Sequence, residues 1–256
     1  MRTRSSLWSY LVIVLTVSSC ATTTPYNPFK VPQSDIRSRV KVVALAPINL
    51  PLKIDDPEPV KTKFESLVTA KLLEGGFRIV PSSEYGAVWK QMTEKLGGFF
   101  NPITGKRDEE KFKAVREHTL REVAAKSKAD ALLEVGIVPV GVNFTSNRAA
   151  WHGTTENLVP GGAFTAYVLG GHNGTTTALS LGVALSDFHG VEMYDNAGGI
   201  QLLTKISAGQ FVSVPRQELF ADEERNRQAV NIALDPLIGK ADAPKPGAGP
   251  PSEHGN

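Results

Sequence analysis

The chain has one cysteine, Cys20, in 256 residues, which excludes an intramolecular disulfide and any cysteine-built metal cage. No uninterrupted apolar stretch approaches the ~20 residues that a membrane-crossing helix requires. An excess of one charge is missing as well: 28 Lys and Arg face 26 Asp and Glu, and Arg2 and Arg4 lie so close to the start that losing a short leader leaves 26 of each sign. Such a balance gives no argument for nucleic acid or for a polybasic grip on lipid. Catalytic signatures are also lacking. Around Gly105-Lys106 a phosphate-cradling loop fails at Phe100 and Arg107. Ala178-Leu179-Ser180-Leu181-Gly182 lacks the first glycine of a nucleophile elbow and lies within an alternating strand, so Ser180 reads as sheet surface. The five histidines, His118, His152, His172, His189 and His254, share no spacing that converges on one face, so no metal and no cofactor is expected.

What is present begins with Arg2 and Arg4, an apolar stretch from Leu7 to Val17 and a small-residue end before Cys20, the layout of a secretory signal peptide over residues 1–19. The eleven apolar-stretch residues form too short a helix to anchor permanently, since at ~1.5 Å per residue they cover about half of a ~30 Å hydrocarbon core. Val17-Ser18-Ser19-Cys20 resembles the lipobox of bacterial lipoproteins, with Val in place of the commoner Leu. The resemblance implies cleavage between Ser19 and Cys20, diacylation of the Cys20 thiol and a further acyl chain on the new amino group. More than one chain anchors stably where a single chain does not. Ala21, where Asp would be the retention residue, resembles the class sorted to the outer membrane.

Residues 20–38, punctuated by Pro25, Pro28 and Pro32, read as a lipidated cysteine followed by a flexible linker. Residues 239–256, with four prolines and four glycines, read as a disordered tail. Between them, 39–238 is expected to form a single periplasmic α/β domain. Val40 to Ala46 reads as a strand buried on both faces. Val60, Phe64, Leu67, Val68 and Leu72 form a helical stripe stopped by Gly75-Gly76, and Phe77 to Val80 is a second strand. Ser82 is the expected N-cap of a helix carrying Tyr85, Val88, Trp89, Met92 and Leu96. Another helix starts near Asp108, and Ala131 to Val142 is a third strand. From there the pattern alternates: strands over Asn143 to Trp151, Ala163 to Leu169, Thr177 to Leu185, Val191 to Tyr194 and Ile200 to Ile206, with Asp187 to Gly190 as a hairpin turn and a last helix beginning near Asp222. The expected fold is α/β (α+β), a mixed sheet with an N-terminal βαβα unit followed by antiparallel strands and with helices packed on it.

That order, with Val42 to Pro47, Glu122 to Leu133 and Ala178 to Asp187 followed by Gly190, resembles the periplasmic α/β domain of curli-export-type lipoproteins and of the N-terminal domain of the Tol-Pal translocation protein. Curli-type relatives assemble as rings whose added hairpins form an export pore. The corresponding segments here, Asn143 to Trp151 and Ala163 to Leu185, do not supply a clean lipid-facing strand: Arg148 interrupts the first and Gly170-Gly171 the second.

The functional expectation is a membrane-anchored lipoprotein acting through protein contacts, as an accessory or assembly factor of an outer-membrane or export system. The alternatives are an oligomeric secretion pore and a periplasmic hydrolase or ligand-binding protein. Its partners are then the membrane through the N-terminal lipid, envelope proteins and, in the pore reading, further copies of itself. Phe99 and Phe100, flanked by Gly97-Gly98 and Asn101-Pro102, are candidate partner contacts, and His172 in its glycine-rich loop is a candidate ligand residue.

Overall fold

The computed structural model describes residues 26–50, 54–159 and 171–239. The expected leader, Ser19, Cys20 and Ala21, the strand expected over 163–169, and the expected tail beyond Gly239 lie outside the described residues. Among the described residues the architecture is α/β, with five α-helices and a mixed sheet.

Helix α1 (Gln33–Arg39) leads into β1 (Val42–Leu45), whose four residues are all buried. An apolar run with no polar face suits a strand covered on both sides, and β1 lies parallel between β2 (Arg78–Val80) and β3 (Ala131–Thr145). Helix α2 (Glu58–Glu74) connects β1 to β2; α3 (Ser82–Lys95) and α4 (Glu109–Ser127) connect β2 to β3. Beyond β3 the chain turns antiparallel through β4 (Arg148–Trp151), β5 (Thr154–Asn157), β6 (Gly174–Ser186) and β7 (Glu192–Leu202). A separate hairpin of β8 (Thr204–Ser207) and β9 (Gln210–Ser213) precedes α5 (Glu223–Ile238). The central ladder is β3 with β6, thirteen residue pairs from Leu132↔Ser186 to Phe144↔Gly174.

Strand alternation divides the core into layers. Val43, Leu45, Leu133 and the expected face of Leu179, Leu181, Val183 and Leu185 pack with Phe64, Val68 and Leu72 of α2 and with Ala229, Val230 and Ala233 of α5. Val42, Ala44 and Leu132 point the other way, toward Tyr85 and Val88 of α3 and Val123 of α4. At the far end of β3, Val140, Val142 and Phe144 form a second cluster with Ala149, Trp151 and Leu202.

Several expectations are corrected. The linker expected through residue 38 is ordered from Tyr26 onward: Phe29 bridges antiparallel to Tyr194, Asp195 N donates to Pro28 O at 2.9 Å, and Ile36 of α1 is fully buried. A proline-punctuated stretch reads as a spacer, but its apolar Phe29 and Ile36 find a place on the edge of β7 and in the core. Ser82 is the first helical residue, not the cap; Pro81 holds that position, and the Ser82 hydroxyl donates to Glu65 Oε2 at 2.7 Å. Asn143 to Trp151 is not one strand but the end of β3, a reversal at Ser146 and Asn147 with positive φ, and β4.

The segments Val191 to Tyr194 and Ile200 to Ile206 are not separated by a turn at Asp195 to Gly199, since β7 runs straight through it. The two glycines there serve close approach. A Cβ on Gly198 would lie 2.0 Å from Ala229 O of α5, and one on Gly199 would lie 2.7 Å from Thr154 Cβ and from Trp151 Nε1. Ser180 is fully buried and not on the sheet surface; its hydroxyl lies 2.8 Å from His152 Nδ1, in the tight turn joining β4 and β5.

Candidate functional site

Among the described residues the fold leaves a groove of about 800 Å³ between α4 and the β6–β7 turn. It arises from periodicity. α4 buries Val115, Thr119 and Val123, which turns Glu117, Arg121 and Ala124 toward the gap at the i, i+4, i+7 positions of the next face. Asp187 shapes the opposite wall: its carboxylate accepts from the amides of His189 and Val191, both at 2.9 Å, and Gly190 supplies the positive φ that closes the turn. The floor is Glu134 and Ala184, on the sheet face that carries Leu132.

Charge crosses one end of this groove. An Arg116 guanidinium nitrogen lies 3.2 Å from each Glu134 oxygen, with both side chains nearly half exposed. Behind them the Tyr85 hydroxyl is pushed up to about 12, chiefly by burial and then by the Glu134 charge, with Arg116 pulling the other way. It therefore stays protonated at neutral pH and can donate but not act as a base. The paired Arg116 and Glu134 give that end of the groove a donor and an acceptor for polar groups. No group of three or more His, Cys, Asp or Glu side chains placed to hold a metal ion occurs among the described residues.

The residues singled out in the sequence do not converge here. Phe99 is partly buried, its ring 5.8 Å from Trp89, 5.3 Å from Phe112 and 5.0 Å from Phe100. Phe100 is 59% exposed and bridges to Arg107 across the α3–α4 loop. The pair is thus divided, one ring packing and the other facing solvent. His172 is exposed at the far end of the β3–β6 ladder, where its amide and its carbonyl both bond Asn147 in the β3–β4 turn. That arrangement makes it part of a strand connection. The groove residues Arg116, Glu117, Arg121 and Glu134 escaped the sequence reading because each looks like ordinary solvated helix or strand surface. The only available signal was the α4 face adjoining the buried stripe.

No protein-family model matches the chain, and no curated protein matches it. Lipoprotein GNA1162 from Neisseria meningitidis, known from its crystal structure, is similar to this chain. The identity is 16%, the match covers 62% of this chain and 81% of that one, and the TM-score is 0.30. A likeness at that level carries no argument about the site or its chemistry.

Proposed function

We propose that this chain is a lipoprotein of the bacterial envelope, cut between Ser19 and Cys20, held to the outer membrane by lipid on Cys20, and acting in the periplasm through protein contacts. The observation that carries the reading is the sole cysteine set directly behind Val17-Ser18-Ser19 and a leader too short to span a bilayer. Among the described residues no helix is long and apolar enough to cross a membrane. The open groove beside α4 and the exposed Phe100 are the surfaces offered to a partner.

The pore reading ranks lower. Phe144, Ala149 and Trp151 bury the apolar side of Asn143 to Trp151 inside the protein, and β6 is paired along both edges. A membrane hairpin made from these segments would have to dismantle that packing first.

The test is mass spectrometry of the chain purified from a Gram-negative host, expected to show an N-terminal acylated Cys20. An unmodified thiol or a retained leader overturns the anchor. Photo-crosslinkers placed at Arg121 and Phe100 in intact cells are expected to yield a reproducible protein adduct, and the absence of any adduct overturns action through contacts.

A further inference from the structure

Strand β9 has no layer over it among the described residues. All four of its residues are exposed, Phe211 at 57% and Val212 at 40%, and the strand pairs there with β8 alone. Successive side chains of a strand point to opposite faces, so both faces of β9 meet solvent. Ala208 and Gly209 turn the hairpin with positive φ, and from Ile206 to Pro215 the chain carries no charged residue. The adjoining cation, Lys205, stands opposite Val212 and holds Glu218 at 3.6 Å.

The hairpin stands at one end of the long ladder. It follows Leu202, the last residue of β7, and the Phe211 ring lies 6.0 Å from that of Phe144, where β3 pairs with Gly174 of β6. The N-terminal segment points to the same end. The Lys30 amide donates to Met193 O at 3.0 Å and the Asp195 amide to Pro28 O at 2.9 Å, so the chain traced back from Lys30 to Pro28 runs as β7 does, toward Leu202. Tyr26 is fastened beside it, its hydroxyl donating to Asp195 O at 2.8 Å.

We infer that the β8–β9 hairpin lies in the headgroup–acyl boundary of the leaflet that holds the lipid anchor, with Phe211 and Val212 against lipid. The inference rests on the anchor proposed above, and chain length directs it. Cys20 lies six residues before Tyr26, so whatever its path the chain between them spans at most ~20 Å. Asp195 pairs with Ala184, and Gly174, opposite Phe144, lies ten residues from Ala184 along β6, a rise of about 33 Å. The end that bears the hairpin therefore overreaches the longest tether, and a bilayer on that side meets the hairpin before the tether is taut. Apolar side chains in an uncharged stretch suit that boundary, and the Lys205 stem lets its ammonium stay among the headgroups. Strands of four residues fall well short of the ~9 to 11 that span a bilayer, so the hairpin rests in the interface and does not cross it.

A blander role for Phe211 is to shield Phe144 from water, which leaves β9 indifferent to lipid. The deciding experiment uses the full mature chain with Val212→Cys carrying an environment-sensitive fluorophore, in phosphatidylcholine vesicles that contain a lipid spin label near the headgroup. The same probe at Val191→Cys, exposed just before β7 at the opposite end, is the reference. Quenching is expected to be roughly two-fold or more stronger from the first position than from the second, and to persist in ~0.5 M salt because no charge attraction is involved. With the probe moved to Ala208→Cys, the pair Phe211→Ser and Val212→Ser is expected to lose most of the quenching with unchanged circular dichroism. Equal quenching from the two ends, or undiminished quenching in the serine variant, overturns the inference. So does a probe at Val212→Cys that is already shielded from water without vesicles, which would put another part of the chain or a second copy over β9. The mass of the same sample separates the two readings: an acylated chain with no contrast between its ends sinks the docking hairpin and keeps the anchor, whereas an unmodified Cys20 sinks both.

Discussion

Glu156 and Arg225 tie the β4–β5 hairpin to the last helix. Glu156 is almost fully buried; one of its carboxylate oxygens lies 2.6 Å from an Arg225 guanidinium nitrogen, and the other accepts from the Leu202 amide at 2.8 Å. Replacing it with Ala leaves the buried Leu202 amide without its acceptor, while Arg225 keeps only Asp222, and the expected loss is about 2 kcal/mol. Glu156→Gln keeps an acceptor for Leu202 and is expected to lose about half of that. Urea denaturation of the two variants checks the ratio, and equal losses would show that the charge, not the amide bond, dominates.

Gly198 marks where α5 presses on β7. Because the obstacle to a Cβ there is the Ala229 backbone carbonyl, no side-chain rotation relieves it, and Gly198→Ala is expected to destabilise by about 3 kcal/mol or more. At Gly141 in β3 an added Cβ would meet nothing within 4 Å, and Gly141→Ala is expected to be neutral or stabilising by up to ~1 kcal/mol. Thermal melts of the pair distinguish close approach from a general intolerance of alanine in the sheet.

The two phenylalanines of the α3–α4 loop should separate in the same kind of measurement. Phe99→Ser removes a ring packed on Trp89 and Phe112 and is expected to cost about 2 kcal/mol. Phe100→Ser, at a solvent-facing ring, is expected to cost less than ~1 kcal/mol and to reduce crosslinking to a partner. A stability loss at Phe100 as large as at Phe99 would remove it from the contact surface.

Alkaline unfolding should report the buried tyrosines. Tyr85 is held near 12 by burial, and Tyr194, whose hydroxyl donates to Ala233 O at 2.6 Å, is raised in the same direction. Unfolded tyrosine ionises near ~10. Below that pH both states carry the proton and stability is unaffected; above it only the unfolded state releases one, so stability falls as pH rises toward and through 12. Each tyrosine contributes a slope of about 1.4 kcal/mol per pH unit there. Tyr85→Phe is expected to flatten the fall, measured as denaturation midpoints across the alkaline range.

Sorting supplies a further prediction. Cys20→Ala is expected to leave the leader uncut and abolish acyl labelling, and Ala21→Asp is expected to move the protein to the inner-membrane fraction on a density gradient. An unchanged distribution for Ala21→Asp would remove the outer-membrane assignment while leaving the lipid in place.

Much of the fold could be read along the chain. The run Val42 to Leu45, the stripe Phe64, Val68, Leu72 and the turn Asp187 to Gly190 each carry their signal within a few residues, as apolar continuity, helical spacing or turn chemistry. The failures share one cause. Asp195 to Gly199 has the composition of a loop but is a strand, because its glycines admit a helix on one side and a hairpin on the other. Ser180 looked exposed until the β4–β5 turn placed His152 over it. The groove was illegible for the same reason, since its walls come from α4 and the β6–β7 turn, more than sixty residues apart in the chain.

The sequence by itself determined the apolar stretch behind which a lone cysteine stands, the order of most strands and helices, and the sum of the charges, because periodicity, terminators and composition are properties of the chain alone. Only the tertiary structure decided that residues 28–30 lie along β7, that Gly198 must admit a backbone carbonyl, and that Glu156 meets both Arg225 and the Leu202 amide. These depend on which distant segments meet, and no local pattern encodes a meeting.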